Sequence, residues 1–175
     1  MTIVPRPGFP FHTPTPPFAG RRWPDRVYEG VPSQAAWVRA DLAADLTRLL
    51  GLSPEVRDDA VLCIAEMFAN ACAHTRSGNP GGRVVRLLSQ PTAPTVRLTL
   101  VDGGSPTRPH IPTAQEEEIP SESGRGLLLI EHLSLAWGTR PAPDHPLGDR
   151  PGHAVWAEFA LAGTAVPAPA PEAAR

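Results

Sequence analysis

The 175-residue chain contains no lysine; all sixteen of its basic residues are arginine. A P-loop that cradles phosphate and a Schiff-base mechanism both depend on a lysine amine, so both are excluded. Charge of neither sign dominates. The formal net charge is −2, and no overall field draws the chain to nucleic acid or to an anionic membrane. Cysteine is scarce. Cys63 and Cys72 lie nine residues apart on one predicted helix, which sets their Cα atoms about 13 Å apart, beyond the reach of a disulfide. No apolar run approaches the roughly 18 residues of a membrane span, and no leader pattern opens the chain. The expectation is a cytosolic protein with no contact to membrane or nucleic acid. What the chain does have is an apolar fraction of 41%, enough for the core of one domain.

Proline sets the outer limits of that domain. Residues 1–20 are proline-rich without periodicity and read as a disordered tail; residues 162–175, rich in alanine and proline, read as another. The ordered domain is expected over residues 21–161. Trp23, Val27 and Tyr28 suit a short strand, an edge strand because of Pro24. Ser33 then reads as the N-cap of a helix with a Val38, Leu42, Leu46 and Leu49 stripe, stopped by Gly51. Ser53-Pro54-Glu55 is a second start signal, with a cap, a proline at the first helical position and an acid in the first turn.

The helix it opens is the most informative stretch. Over residues 58–76, Glu66, Asn70 and His74 recur every fourth position and stay within roughly 80° of one another on the helix surface. Asp59 and Cys63 fall on that side; Ala60, Val61, Ile64, Met67, Phe68 and Ala71 cover the opposite one. A solvated face would carry oppositely charged pairs at this spacing, yet no cation appears before Arg76. A carboxylate and a carboxamide one turn apart suit an oxygen-coordinated Mg²⁺ and a hydroxyl or water to be activated. On this helix alone, an ordinary polar face remains the simpler reading.

Residues 77–82 are turn formers throughout and end the helix. Strands are expected over 83–90 and 95–101, joined as a hairpin through residues 91–94. Asp102 ends the second strand and is followed by Gly103 and Gly104, which places one acceptor against a ligand's edge or closes an Asx turn. Residues 105–123 hold four prolines and few apolar residues, as a lid or a disordered segment does. Gly124-Arg125-Gly126-Leu127 then lead into a helix over 127–133. Glycines before a helix let backbone N–H groups close on phosphate oxygens, and Arg125 could add a direct contact. A short strand over 135–138, a polar turn region over 140–152 and a closing strand over 153–161 complete an order of β-α-α-β-β-lid-α-β-β.

The three polar motifs, Glu66 to His74, Asp102-Gly103-Gly104 and Gly124 to Leu127, resemble in order and context the GHKL superfamily of ATP-binding domains, which includes gyrase and the histidine kinases. Within it the likeness is greatest to the stand-alone anti-sigma-factor-type serine/threonine kinases of actinobacteria. The resemblance covers residues 21–161. It implies an α+β, two-layer Bergerat fold, with a mixed, mostly antiparallel sheet covered on one face by about three helices and a flexible lid. It implies ATP and Mg²⁺ as cofactors. Glu66 matches the general base, Asn70 the Mg²⁺ ligand, and His74 a position near the phosphates. Asp102 matches the acceptor of the adenine amino group, with Gly103 and Gly104 passing beside the base. Gly124, Arg125, Gly126 and Leu127 match the box that closes over the phosphates. Two places depart from the pattern. The box after Asp102 reads Gly103-Gly104-Ser105-Pro106 rather than x-Gly-x-Gly, and Gly152-His153 stands where many relatives have Gly-Lys.

The implied function is phosphorylation of a small antagonist protein, with a sigma factor as the other partner and a homodimer as a common assembly. The alternative is a nucleotide-binding interaction module without turnover. A histidine kinase fits less well, because His12 lies in the proline-rich tail and His74 in the long helix. A zinc enzyme lacks the paired ligands.

Overall fold

In the computed structural model the described residues are 20–49, 51–105, 125–147 and 151–161. They form a six-stranded sheet and three α-helices. Two short strands, β1 (Arg21–Arg22) and β2 (Arg26–Glu29), flank Pro24 and both pair with β3 (Arg83–Thr92) at the sheet's edge. The order continues through β4 (Thr95–Asp102) and β6 (Pro151–Ala160) to β5 (Ala136–Pro146). Every described pairing is antiparallel. The helices α1 (Ala35–Leu46), α2 (Pro54–His74) and α3 (Arg125–Leu133) form the second layer, with α2 packed between the other two.

Helix α2 starts where its sequence says it should. Ser53 is extended, and its hydroxyl oxygen accepts the Val56 N–H at 3.3 Å. Pro54 needs no partner for an N–H it lacks. The apolar side of α2 meets Val96, Leu98, Leu100, Val155, Ala157 and Phe159 from the sheet in one core. Phe68 and Ile64 are fully buried in it, each contributing about 1.5–3 kcal/mol by removal from water. Alternation along β4 then decides the position of the next polar residue. Val96, Leu98 and Leu100 face the helices, so Asp102, two residues on, faces them too. Val101 points to the far side, against Val85, Ala142 and Ala154.

The expected elements need four corrections. Ser33 does not cap α1; a 3₁₀ turn, Pro32–Gln34, precedes the helix, and neither Val31 nor Gln34 caps by its side chain. Cys63 is not on the polar side of α2 but fully buried, because the apolar contact of a helix lying between two others is wider than one stripe. The hairpin is tighter, with Thr92 paired to Thr95 and an irregularity between Ser89 and Thr92 that lets the strand run through Pro91. The turn region over 140–152 is instead largely strand: β5 runs to Pro146 and β6 begins at Pro151. β5 is the outer strand, where a missing proline N–H breaks no ladder. The expected tails and lid lie outside the described residues, apart from Gly20 and Ser105.

Candidate functional site

Glu66 and Asn70 stand one turn apart on α2, both half-buried. Among the described residues neither side chain makes a hydrogen bond, so the carboxylate and the carboxamide keep their acceptors for a ligand. The first turn of α3 lies directly against them. A β-carbon on Gly126 would come within 2.8 Å of Glu66 Oε2 and 3.3 Å of Asn70 Nδ2. Glycine at this position therefore lets the α3 backbone approach an acid and an amide more closely than any side chain would allow.

The second half of the site is the end of β4. Asp102 is 4% exposed. Its Oδ1 accepts the Gly104 N–H at 2.6 Å, while Oδ2 has no hydrogen bond among the described residues. The turn is possible because Gly104 takes φ +71, where only glycine is unstrained. Burial pushes the Asp102 carboxyl above the usual carboxylate range. The Gly104 N–H and the charges of His153 and Arg76 draw it back in part. His153 pairs with Asp102 across the β4–β6 ladder, and Arg76 follows the C-terminus of α2.

The two halves meet through that C-terminus. Asn70 precedes His74, the last residue of α2, by about 6 Å of helical rise. The 3₁₀ turn Arg76–Gly78 comes next. There the Arg76 N–H donates to the Gly104 carbonyl at 3.1 Å, and Ser77 Oγ accepts the Gly103 N–H at 2.8 Å. One continuous segment thus carries Glu66 and Asn70 and holds the loop after Asp102.

The structure brings Glu66, Asn70 and Gly126 together, and Asp102 with Gly103 and Gly104. It does not join His74 to either group: that side chain is exposed and makes no hydrogen bond among the described residues. Leu127 is buried in the core rather than presented to a ligand, because α3 turns its apolar side to α2. Arg125 begins α3, and Gly124 lies outside the described residues. Sequence reasoning missed Arg76 and Ser77 as parts of the site. Ser77 sits among glycines and a proline that read only as a turn, and Arg76 read as the last residue of the long helix, which in fact ends at His74.

A sheet with helices on one face, and polar groups gathered between the layers where a strand end meets the central helix, has the architecture of the Bergerat ATP-binding fold. The family described as the histidine kinase-like ATPase domain matches residues 30–137, a span that includes both halves of the site. The match covers more than half of the chain, and the protein belongs to this family, whose domains bind ATP. A comparison with curated proteins gives no match. No helix among the described residues is long and apolar enough to cross a membrane.

The donor set agrees with the Mg²⁺ that usually accompanies ATP. Among the described residues no three His, Cys, Asp or Glu side chains form a metal cage. Mg²⁺ requires none, since it binds one or two protein oxygens and completes its shell with phosphates and waters. Asn70 offers such an oxygen, with Glu66 one turn away.

Proposed function

We propose that the protein is an ATP-dependent serine/threonine kinase of the anti-sigma type, with Glu66 as its general base. The observation that carries this reading is the half-buried Glu66 carboxylate beside Asn70, unpaired among the described residues and lying under the glycine start of α3. A module that only binds nucleotide has no use for a free carboxylate there. Phosphoryl transfer asks a protein mainly for position and charge neutralisation. Asp102 Oδ2 takes the adenine amino hydrogen, with Gly103 and Gly104 beside the base. Asn70 would hold Mg²⁺, which when bound neutralises charge on the phosphates; by resemblance alone, Gly124, Arg125, Gly126 and Leu127 belong to the box that closes over them, and His74 to a position near them. Glu66 accepts the proton of an incoming Ser or Thr hydroxyl. The partner class is a small antagonist protein that supplies this hydroxyl, with a sigma factor as the alternative ligand and a homodimer as the assembly; these partners rest only on the likeness of the motifs to the anti-sigma-type kinases.

The test is titration calorimetry with a non-hydrolysable ATP analogue, with and without Mg²⁺, followed by a phosphotransfer assay on candidate antagonists. Wild type binds in a Mg²⁺-dependent manner, and Asn70→Ala does not. Glu66→Gln keeps the nucleotide and loses transfer. If Glu66→Gln retains the whole partner response, the protein is the non-catalytic module instead.

A further inference from the structure

Ser77 is 1% exposed, and its hydroxyl is fully engaged. It accepts the Gly103 N–H at 2.8 Å and donates to the Arg83 carbonyl at 2.6 Å. Its own N–H donates to Thr75 Oγ1 at 3.1 Å, and that hydroxyl donates to the Ala71 carbonyl of α2 at 2.7 Å. A chain of hydrogen bonds therefore runs from the backbone of α2 to the peptide that follows Asp102. The Gly103 N–H belongs to the same peptide plane as the Asp102 carbonyl, so holding it fixes the rotation of Asp102 about its Cα–C bond. The Gly104 N–H on Oδ1 then fixes the carboxylate itself. Gly104 is tied in turn by the Arg76 N–H. With these rotations set, Oδ2 is left aimed at one place.

The surroundings leave Ser77 little room to move. Gly30 and Gly82 pack on its backbone so closely that a β-carbon on either would overlap the Ser77 carbonyl oxygen. A β-carbon on Gly103 would stand 3.2 Å from Arg76 Cβ and 3.3 Å from the Ser77 nitrogen. A hydroxyl is the one small group that can give to Arg83 and receive from Gly103 at once.

We infer that Ser77 is a positioning residue for nucleobase recognition: it holds the Asp102–Gly103 peptide so that the Asp102 carboxylate meets the 6-amino group of adenine. This deepens the proposed ATP site and rests on the reading of Asp102 as the adenine acceptor. A residue that merely supported the fold would, on removal, weaken all nucleotides alike. A residue that aims Asp102 affects only ligands with an amino group to be met.

The experiment compares equilibrium binding of ADP and of purine riboside 5′-diphosphate, which lacks only the 6-amino group. Full-length wild type, Ser77→Ala and Asp102→Asn are titrated with Mg²⁺ present, after thermal melts establish that each is folded. Wild type is expected to prefer ADP by tenfold or more. Ser77→Ala should lose about tenfold in ADP affinity and keep its affinity for the desamino ligand within about twofold, so that the preference collapses toward that of Asp102→Asn. Should Ser77→Ala not fold, Ser77→Cys, of similar shape but a weak acceptor, carries the same comparison. A folded variant that keeps the wild-type preference overturns the role of Ser77 and leaves Asp102 as the acceptor. A wild type without any preference overturns the reading of Asp102, and the inference with it.

Discussion

Gly126 at the start of α3 stands against Glu66 of α2 with no room for a side chain between them: a β-carbon there would lie 2.8 Å from the carboxylate oxygen. The atom it would meet is the free end of a side chain, which can swing away. The fold therefore tolerates the intrusion, while the geometry of the Glu66–Asn70 pair does not. Alanine also favours a helix over glycine by up to about 1 kcal/mol. Gly126→Ala is expected to melt within a few degrees of wild type and to bind Mg·ATP at least about tenfold more weakly. Calorimetric titration beside a thermal melt reads both. Unchanged affinity would show that α3 moves away from Glu66 when nucleotide binds.

Asp102 trades stability for recognition. Burial raises its carboxyl above the ordinary range, ahead of the opposing pull of the Gly104 N–H, His153 and Arg76. The folded protein thus binds this proton more tightly than the unfolded chain does. The resulting stabilisation is complete below the unfolded carboxyl's pKa, about 3.9, and is lost as pH rises through the raised folded value. At pH 7 the carboxylate is a net cost. Asp102→Asn should melt above wild type at pH 7, and that advantage should shrink as pH falls toward about 4. Nucleotide affinity falls in the same variant, because the amide presents a donor where the carboxylate presents Oδ2. An Asp102→Asn protein less stable than wild type at pH 7 would mean that the native carboxylate has a favourable partner.

The sequence made the layers legible because periodicity records burial. The repeat of apolar residues along α2 and the alternation along β4 and β6 each reappear as one side of the core. The Glu66–Asn70 spacing was legible for the same reason, as a polar interruption of a helical repeat. Two kinds of feature were hidden. Prolines in β5 imitate a turn, and only its place at the sheet's edge explains why they are tolerated. Ser77 carries no periodic signal, and its burial depends on β2, β3 and β4 converging from distant parts of the chain. Arg86 was hidden too, since β3 reads Arg-Val-Val-Arg-Leu-Leu without strict alternation and gives no sign that its second arginine faces the core.

Cys63 is fully buried on α2, and its thiol is pushed up to about 12, first by burial and then by the charges of Asp59 and Glu66. Thiolate is the reactive form, so native Cys63 is inert near pH 8. Cys72 is only half-buried, and burial raises its thiol as well. Iodoacetamide at pH 8 should label Cys72 slowly and Cys63 only when denaturant unfolds the core, as peptide mass spectrometry would show. Labelling of Cys63 in the native protein would reveal local opening of α2 against the sheet.

Arg86 is the largest fully buried side chain among the described residues, and it carries a charge. It is fully buried on the helix side of β3 and pairs with Asp45 of α1 through Nη2, while among the described residues Nε and Nη1 have no hydrogen-bond partner. Asp45 also meets Arg26 at 3.5 Å. Nearby, the Tyr28 hydroxyl donates to Asp41 Oδ2 at 3.0 Å, so a small polar cluster joins α1 to the sheet's edge. Such a pair loses most of its Coulomb gain to desolvation, whereas breaking it leaves a bare charge in the interior. Asp45→Ala is therefore expected to destabilise by about 3–5 kcal/mol in urea denaturation. The double change Asp45→Leu with Arg86→Met removes both charges and fills the space. It should recover most of that loss, and it should leave nucleotide affinity unchanged, because the cluster lies on α1, β2 and β3 and includes none of Glu66, Asn70 and Asp102. If the double variant is as unstable as Asp45→Ala, the pair is a net stabilising interaction, and α1 is held to the sheet by charge rather than by its Val38, Leu42 and Leu46 stripe.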